Sequence, residues 1–430
     1  MDFEIFRRDL MLSEAEAEKL FPGFYDHHSS EEAAECLSDS YLDEVLPWIK
    51  LDDDDAAKLR CFAARLRGSC AGTRLFIHAF RTLFEGDDPK SLGAWPDFTA
   101  AFGGDDSLFY LLLSCSAFLP TLKNYRRRGI PDEYAKKIGV KIYSTNWLNR
   151  QAFGKPGYKK SVIYWLREYA DLRVIPVGRF EFRHGFADKY NICAFRNGAG
   201  KILALYGRTP YGFRADGRCC MADGPEAVSR SGLIENGEFV IGHAVDPACG
   251  RSLGVVKLDK SEWQTVLSPK SPILEWHIPG GGGMTPELTR DSLVAGFAFF
   301  DRYFPELPAA RAIVCSSWVF WHCYEELRPL ANPALVMREC YEFGHPGRGW
   351  NGFYFLFGAG TPDDLPHPPQ RDTSIRRAML DIREREGYLG MGGIFILRED
   401  LTRWGSAPYR TELRVTDIER LRITAEAARR

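Results

Sequence analysis

Four consecutive glycines, Gly280 to Gly283, stand between the apolar stretch ILEWHIP and the segment MTPELTRDSLVAGFAFF, and they limit what this chain can fold into more than any other feature. Side-chain-free backbone allows close approach, so the loop's N–H groups and the free N–H groups of a first helical turn can face one anion, with the helix dipole adding partial positive charge. Thr285 is placed as an N-cap and Pro286 at the first helical position, which predicts a helix over 286–304. A strand over 273–278 leads into the loop. The segment matches neither G-x-G-x-x-G nor G-x-x-x-x-G-K-[ST], so a merely flexible connection is the competing reading.

The rest of the chain gives this segment a setting. Its 430 residues exceed what one core usually organises, so two or more domains are expected. Residues 13–160 read as helical. Ser13 with Glu16 forms a capping box, Asp52 to Asp55 open an amphipathic run ending near Arg67, and further helices fit 73–84, 107–127 and 131–137. From about Val174 the pattern alternates, with strands expected at 179–183, 190–195, 201–206 and 238–245. Then come a strand at 273–278, the glycine loop, a helix at 286–304, a strand at 312–316, a helix at 322–330 and strands at 335–343 and 352–357. A proline-rich hinge at 361–369 precedes a helix at 373–386 and a strand at 393–397, and the tail ending AARR is expected to fray. The fold class is therefore α+β: a helical part over 1–160 followed by a mixed sheet flanked by helices over 161–430.

Composition removes several function classes. A formal net charge of −2 argues against nucleic acid as the main partner, which needs an excess of Lys and Arg on one face. The stretch LFYLLLSCSAFL at 108–119 is too short to span a bilayer, and the acidic N-terminus has no signal-peptide run, so neither a membrane anchor nor export is expected. Eleven scattered cysteines without C-x-x-C point to reduced thiols in a cytoplasm. No metal is expected: His27 and His28 are adjacent and the other histidines form no ligand-spaced cluster. The basic stretch KNYRRRG at 123–129 either meets a phosphate or solvates a helix end, and Arg208, Arg214 and Arg218 either recognise an anionic acceptor or lie in a solvated loop.

The order strand, glycine loop, helix, strand, helix and two closing strands resembles the core of GNAT acyltransferases. With LEWHIPGGGGMTPELTRDSLVAGFAFFDRYFPE, CSSW at 315–318 and DTSIRRAMLDIREREG at 372–387, the whole chain resembles a bacterial family joining a helical N-acyltransferase N-terminal domain to a GNAT-like C-terminal domain. The resemblance implies that a central strand splays from its neighbour, and that the antiparallel strands between 179 and 245 supply the other half of the sheet. It also implies a cosubstrate, acyl-CoA or acetyl-CoA, with its pyrophosphate on Gly280, Gly281, Gly282, Gly283 and Thr285. Ile278 and Ser317 would then hold the pantetheine arm. The usual loop opens with Gln or Arg; here the glycines follow Pro279 directly, leaving backbone amides to bind the anion.

Acyl transfer from a thioester needs a deprotonated nucleophile, a stabilised oxyanion and a tolerated thiolate. His277 can accept a proton near its ordinary pKa of about 6.5, or is a packing histidine. Glu275 shares its face and is either a reserve base or a salt-bridge partner. By the resemblance Tyr324 would protonate the leaving sulfur, against an ordinary half-buried tyrosine. A nucleophilic Cys315 or Cys323 beside His322 has no orienting acid in the sequence. Three readings stay open: direct transfer to a small-molecule amine or hydroxyl acceptor, a GNAT-like fold that binds CoA without turnover, and an interaction module.

Overall fold

The computed structural model describes residues 2–27, 29–347 and 349–423; His28 and the AARR tail lie outside them. Helices fill the chain as far as Trp165–Ala170. Ser13 and Glu16 make the expected capping box, and Asp52 caps Asp53–Arg67. The single helix expected over 107–127 is two, Asp106–Cys115 and Phe118–Arg127. Pro120 has no N–H to give the carbonyl of Ser116, so the first helix cannot run straight into the second. A further helix, Ile138–Phe153, is hidden in the sequence because it is apolar on two sides. Ile138, Ile142 and Ala152 are buried, while Val140, Tyr143, Trp147 and Phe153 are exposed.

In chain order the longer strands are β1 (Ile175–Val177), β2 (Phe180–Phe186), β3 (Ile192–Asn197), β4 (Ile202–Tyr206), β5 (Phe239–Val245), β6 (Ser252–Asp259), β7 (Trp263–Leu267), β8 (Pro272–His277), β9 (Ala312–Ser317), β10 (Tyr341–His345) and β11 (Met391–Leu397). The central sheet runs β1-β2-β8-β9-β11-β10, with β8 and β9 parallel and its other neighbours antiparallel. Three sequence expectations are corrected here: the stretch 335–343 is no single strand, since Asn332–Glu339 is a helix and strand begins only with β10 at Tyr341. Of the strands between 179 and 245 only β2 joins this sheet; β3, β4 and β5 form a separate one, β6-β5-β4-β3-β7. Residues 353–357 are a helix, not a closing strand, because Gly352 and Gly358 take left-handed φ of +83° and +78° and confine a short apolar turn. The closing strand is β11, which slots between β9 and β10.

The pairing of β8 with β9 positions the site. Ile273, Leu274 and Glu275 sit opposite Ala312, Ile313 and Val314, and there the pairing stops although both strands continue. On their outer sides they stay paired, Trp276 and His277 with Phe182 and Glu181, Cys315 to Ser317 with Ile394 to Gly392. The two strands therefore splay apart beyond Glu275. The helix Pro286–Tyr303 packs its buried face, including Gly296, on the Phe182 side of the sheet, where a Cβ at Gly296 would come 3.0 Å from the Phe182 ring. Helical and sheet parts share one core, from Phe6 to Tyr409.

Candidate functional site

The loop after β8 is held by a residue that the motif does not contain. Arg179, in the turn just before β2, donates from Nε to the Gly283 carbonyl (2.9 Å) and from Nη2 to those of Pro279 (2.7 Å) and Gly282 (3.0 Å). Gly281 takes φ +78°, and a Cβ on Gly282 would come 2.5 Å from Arg179 Nε. With its carbonyls turned to the guanidinium, the loop keeps its amides: among the described residues no N–H from Gly280 to Gly283 donates a hydrogen bond within the chain. Thr285 caps the following helix by accepting from Leu288 N–H at 3.3 Å, with Pro286 at its first position. Loop amides and first-turn N–H groups thus form a ready anion cradle.

At the splay, polar atoms are buried with no hydrogen-bond partner, Trp276 Nε1, His277 Nε2 and Ser316 Oγ, and so is Tyr324 Oη in the apolar cluster around Trp321. Buried polar groups are ordinarily paired, so these atoms are open to a ligand or a water. Strand register assigns them to faces. Glu275 sits beside Val314, so His277 and Ser316, two residues further along each strand, lie on one face, whereas Trp276 and Ser317 lie on the other. The Ser317 hydroxyl accepts from Val319 N–H at 3.3 Å and starts a short turn.

His277 and Glu275 come together, with Nε2 and Oε2 3.8 Å apart. Glu275 is held by Lys189 at 2.6 Å. The half-buried His277 ring stands edge-on to Trp165 of the helical part, 5.2 Å between centroids. Burial first, then the charges of Lys189, Arg183 and Lys141, push its imidazole down to about 3. It is neutral at physiological pH, with its lone pair available. Tyr324 sits elsewhere, in the apolar cluster of Trp321, Phe353, Phe357 and Met379, edge-on to Trp318 at 5.8 Å, and burial raises its hydroxyl well above the ordinary tyrosine range. It makes no ring contact or hydrogen bond with His277 among those in the described residues.

The remaining candidates are mostly spoken for. Arg126 pairs with Asp132 (2.6 Å), Lys123 with Glu32, Arg128 with Glu306, and Arg218 with Glu386 (2.7 Å). His322, Cys323 and Glu326 do gather within metal-ligating reach of one another, closer than sequence spacing suggested. Burial holds the Cys323 thiol up at about 12, and burial with the charges of Arg218 and Arg251 holds His322 down at about 4, surroundings that favour neither a thiolate nor a cation. His27 bonds to His78, Nδ1 to Nδ1 at 3.1 Å, inside the helical part.

Sequence reasoning missed Arg179 and Ser316. Only Arg179 left a signal, as the cation ahead of the strand that pairs with β8.

A mixed sheet whose central parallel pair splays apart, with a glycine loop and capped helix at the splayed end, is the architecture of the GNAT class. Residues 174–395 match the family described as GNAT-like C-terminal domain, and residues 40–171 the N-acyltransferase N-terminal domain. The chain belongs to the acyltransferase family that joins these two domains. Among solved structures it is similar to an acyltransferase in complex with decanoyl-CoA and teicoplanin, at a TM-score of 0.60 and 18% identity, covering 92% of this chain and 99% of that one. An acyltransferase mutant in complex with octanoyl-CoA gives 0.58, again at 18% identity with 92% and 99% coverage. At that identity these likenesses establish the fold. No curated protein matches the chain.

Proposed function

We propose that the chain transfers an acyl group from acyl-CoA to an amine or hydroxyl of a small-molecule acceptor, by direct attack without an acyl-enzyme. The observation that carries this reading is the coincidence, at one end of the sheet, of free loop amides with a splay whose polar atoms lack partners. The amides of Gly280 to Gly283 and the helix capped by Thr285 suit a pyrophosphate. The unpaired backbone edges near Ile278 and at Cys315 to Ser317 suit the amides of a pantetheine arm. The complexes of the structural neighbours with decanoyl-CoA, octanoyl-CoA and teicoplanin support an acyl-CoA donor and a small-molecule acceptor. No helix among the described residues is long and apolar enough to cross a membrane, and a cytoplasmic setting is part of the proposal.

In the chemical step the acceptor's lone pair attacks the thioester carbonyl and a tetrahedral oxyanion forms. The C–S bond then breaks and the CoA sulfur departs, taking up a proton as it leaves. His277, neutral and unpartnered at Nε2, takes the acceptor's proton directly or through water and returns it to solvent. Tyr324 keeps its proton at any physiological pH, gives it to the departing sulfur and regains one from solvent. Glu275 fixes Lys189 beside His277 and does not serve as base. Ser316 replaces Ser317 as the hydroxyl facing the splay beside His277.

Thermal stability with and without acetyl-CoA, longer acyl-CoAs and free CoA tests this directly, because a ligand held by the native state alone raises Tm with its affinity. A Tm rise that Gly281→Asp abolishes supports the assignment; no rise at about 1 mM ligand would mean a Kd too weak for the acyl-CoA reading. His277→Ala should then lower turnover while leaving that Tm rise intact, and unchanged turnover removes His277 from the mechanism.

A further inference from the structure

The helical part reaches the glycine loop. The helix Ile138–Phe153 lies against it so closely that a Cβ on Gly280 would come 3.2 Å from the Cβ of Ser144, and further along the same helix the Leu148 carbonyl stands 2.6 Å from where a Cβ of Gly358 would be. Lys141 is three residues before Ser144, about 4.5 Å along the axis and on the same face. Its charge acts on His277, the last residue of β8, and on Glu181, the partner of His277 across β2. With Ser144 against Gly280, Lys141 one turn earlier on the same helix face lies beside the end of β8, where the strand turns into the loop.

The cations around this point are otherwise committed. Lys189 is bound to Glu275 at 2.6 Å, Arg183 to Glu168 at 3.2 Å, and Arg179 to three loop carbonyls. Lys141 is half-buried, desolvation lowers its pKa, and it makes no ion pair or side-chain hydrogen bond among the described residues. The buried carboxyl that faces it, Glu181, accepts a hydrogen bond from the Tyr169 hydroxyl at 2.7 Å and lies beyond ion-pair distance. An ammonium held partly out of water without a partner is costly, and an anion arriving beside it recovers that cost.

Resting on the acyl-CoA reading above, we infer that Lys141 binds the pyrophosphate of acyl-CoA, so that the helical part closes the cosubstrate site from the face opposite the Pro286–Tyr303 helix. The loop amides and the helix N-terminus grip the phosphates from one side, and Lys141 meets them from the other as a point charge. The N-terminal domain is then part of the cosubstrate site and not only a wall for the acceptor.

The test compares the full-length protein with Lys141→Met and Lys141→Arg in calorimetric titrations with CoA, and in turnover of an acyl-CoA against the matching S-acyl-pantetheine, which has no pyrophosphate. Lys141→Met should weaken CoA binding by about tenfold or more, Lys141→Arg should retain most of it, and kcat/KM for the acyl-pantetheine should stay near the wild-type value. CoA affinity unchanged in Lys141→Met overturns the inference, as does an equal loss with both donors, which would place Lys141 at the thioester. A wild-type protein that binds no CoA overturns the acyl-CoA reading itself. Should Lys141→Met fail to fold, reductive methylation of the wild-type protein replaces it. CoA, but not pantetheine, should protect Lys141 in the mapped peptides, and equal labelling with and without CoA rejects the assignment.

Discussion

Burial makes Tyr324 a weaker acid and His277 a weaker base than their free side chains, so each holds one protonation state across physiological pH, Tyr324 protonated and His277 neutral. Burial raises the Tyr324 hydroxyl, so it holds a proton to donate, and its oxygen has no competing partner. Tyr324→Phe keeps the ring and its contacts with Trp318 and Trp321, and removes only that proton. It should lower kcat by roughly 10² with little change in KM for acyl-CoA, in the range of a general-acid contribution. An equal kcat in steady-state assays would return Tyr324 to packing. His277, held down at about 3, is unprotonated at every pH above that value. With a hydroxyl acceptor, which does not titrate in this range, kcat/KM should therefore run flat from pH 8 down to pH 5. An acid limb near pH 6.5 would instead show a base whose pKa is unperturbed, and its loss in His277→Ala would decide whether that base is His277.

The glycine loop is an element whose conformation depends on a distant side chain. Arg179→Ala leaves the carbonyls of Pro279, Gly282 and Gly283 without their donor, frees the loop to turn, and should weaken CoA binding by about tenfold while the unliganded Tm falls by only a few degrees. Calorimetry and a thermal scan on the same sample separate the two effects, and unchanged affinity would show that the loop holds its shape without the guanidinium. The element scale is also where reading the sequence succeeded and failed for physical reasons. The Pro286–Tyr303 helix was legible because Thr285, Pro286 and the glycines are local signals, and β8 and β9 because each is a buried apolar run between turns. The FYFLF segment was not, since five apolar residues serve a helix or a strand equally and the flanking glycines decide. Nor was the place of β11 between β9 and β10, a pairing between strands far apart in sequence, or the departure of β3, β4 and β5 into their own sheet. At the site, His277 and Glu275 were legible as neighbours by the two-residue period. Lys141 was not, because its helix shows no single apolar face and the approach of that helix to the loop, through Ser144 at Gly280, exists only once the helical and sheet parts pack.

At the scale of the whole molecule the two matched domains are not two independent cores. The largest cluster of buried side chains spans both, from Phe6 to Tyr409, with Tyr134 of the helical part ring to ring with Phe299 of the sheet part at 4.8 Å, and Arg128 Nε donating to the Tyr303 carbonyl at 2.7 Å. Urea unfolding followed by far-UV circular dichroism and by tryptophan fluorescence should therefore give a single transition with coincident midpoints, and two resolved transitions would show separate domains. That transition should also be sensitive to acid, with a sign fixed by the buried histidines. His78 is fully buried, stacked on Trp95, and bonded through Nε2 to the Leu20 carbonyl at 2.6 Å; burial holds its pKa at about 4. Once unfolded it returns to about 6.5. Between those values the unfolded chain binds a proton that the folded chain refuses, so stability rises with pH across this window and is lost as pH falls from about 6.5 to about 4. The slope is about 1.4 kcal/mol per pH unit for each such group, and a shift of this size amounts to about 3 kcal/mol for His78 alone. His322, nearly as buried and also held at about 4, adds to the same slope. The urea midpoint should fall steadily between pH 7 and pH 5, before most carboxylates begin to protonate. A midpoint that stays level over that interval would mean that these imidazoles are protonated in the native protein, and that the His27–His78 contact which ties the N-terminal segment to the Cys70–Phe84 helix is not formed as described.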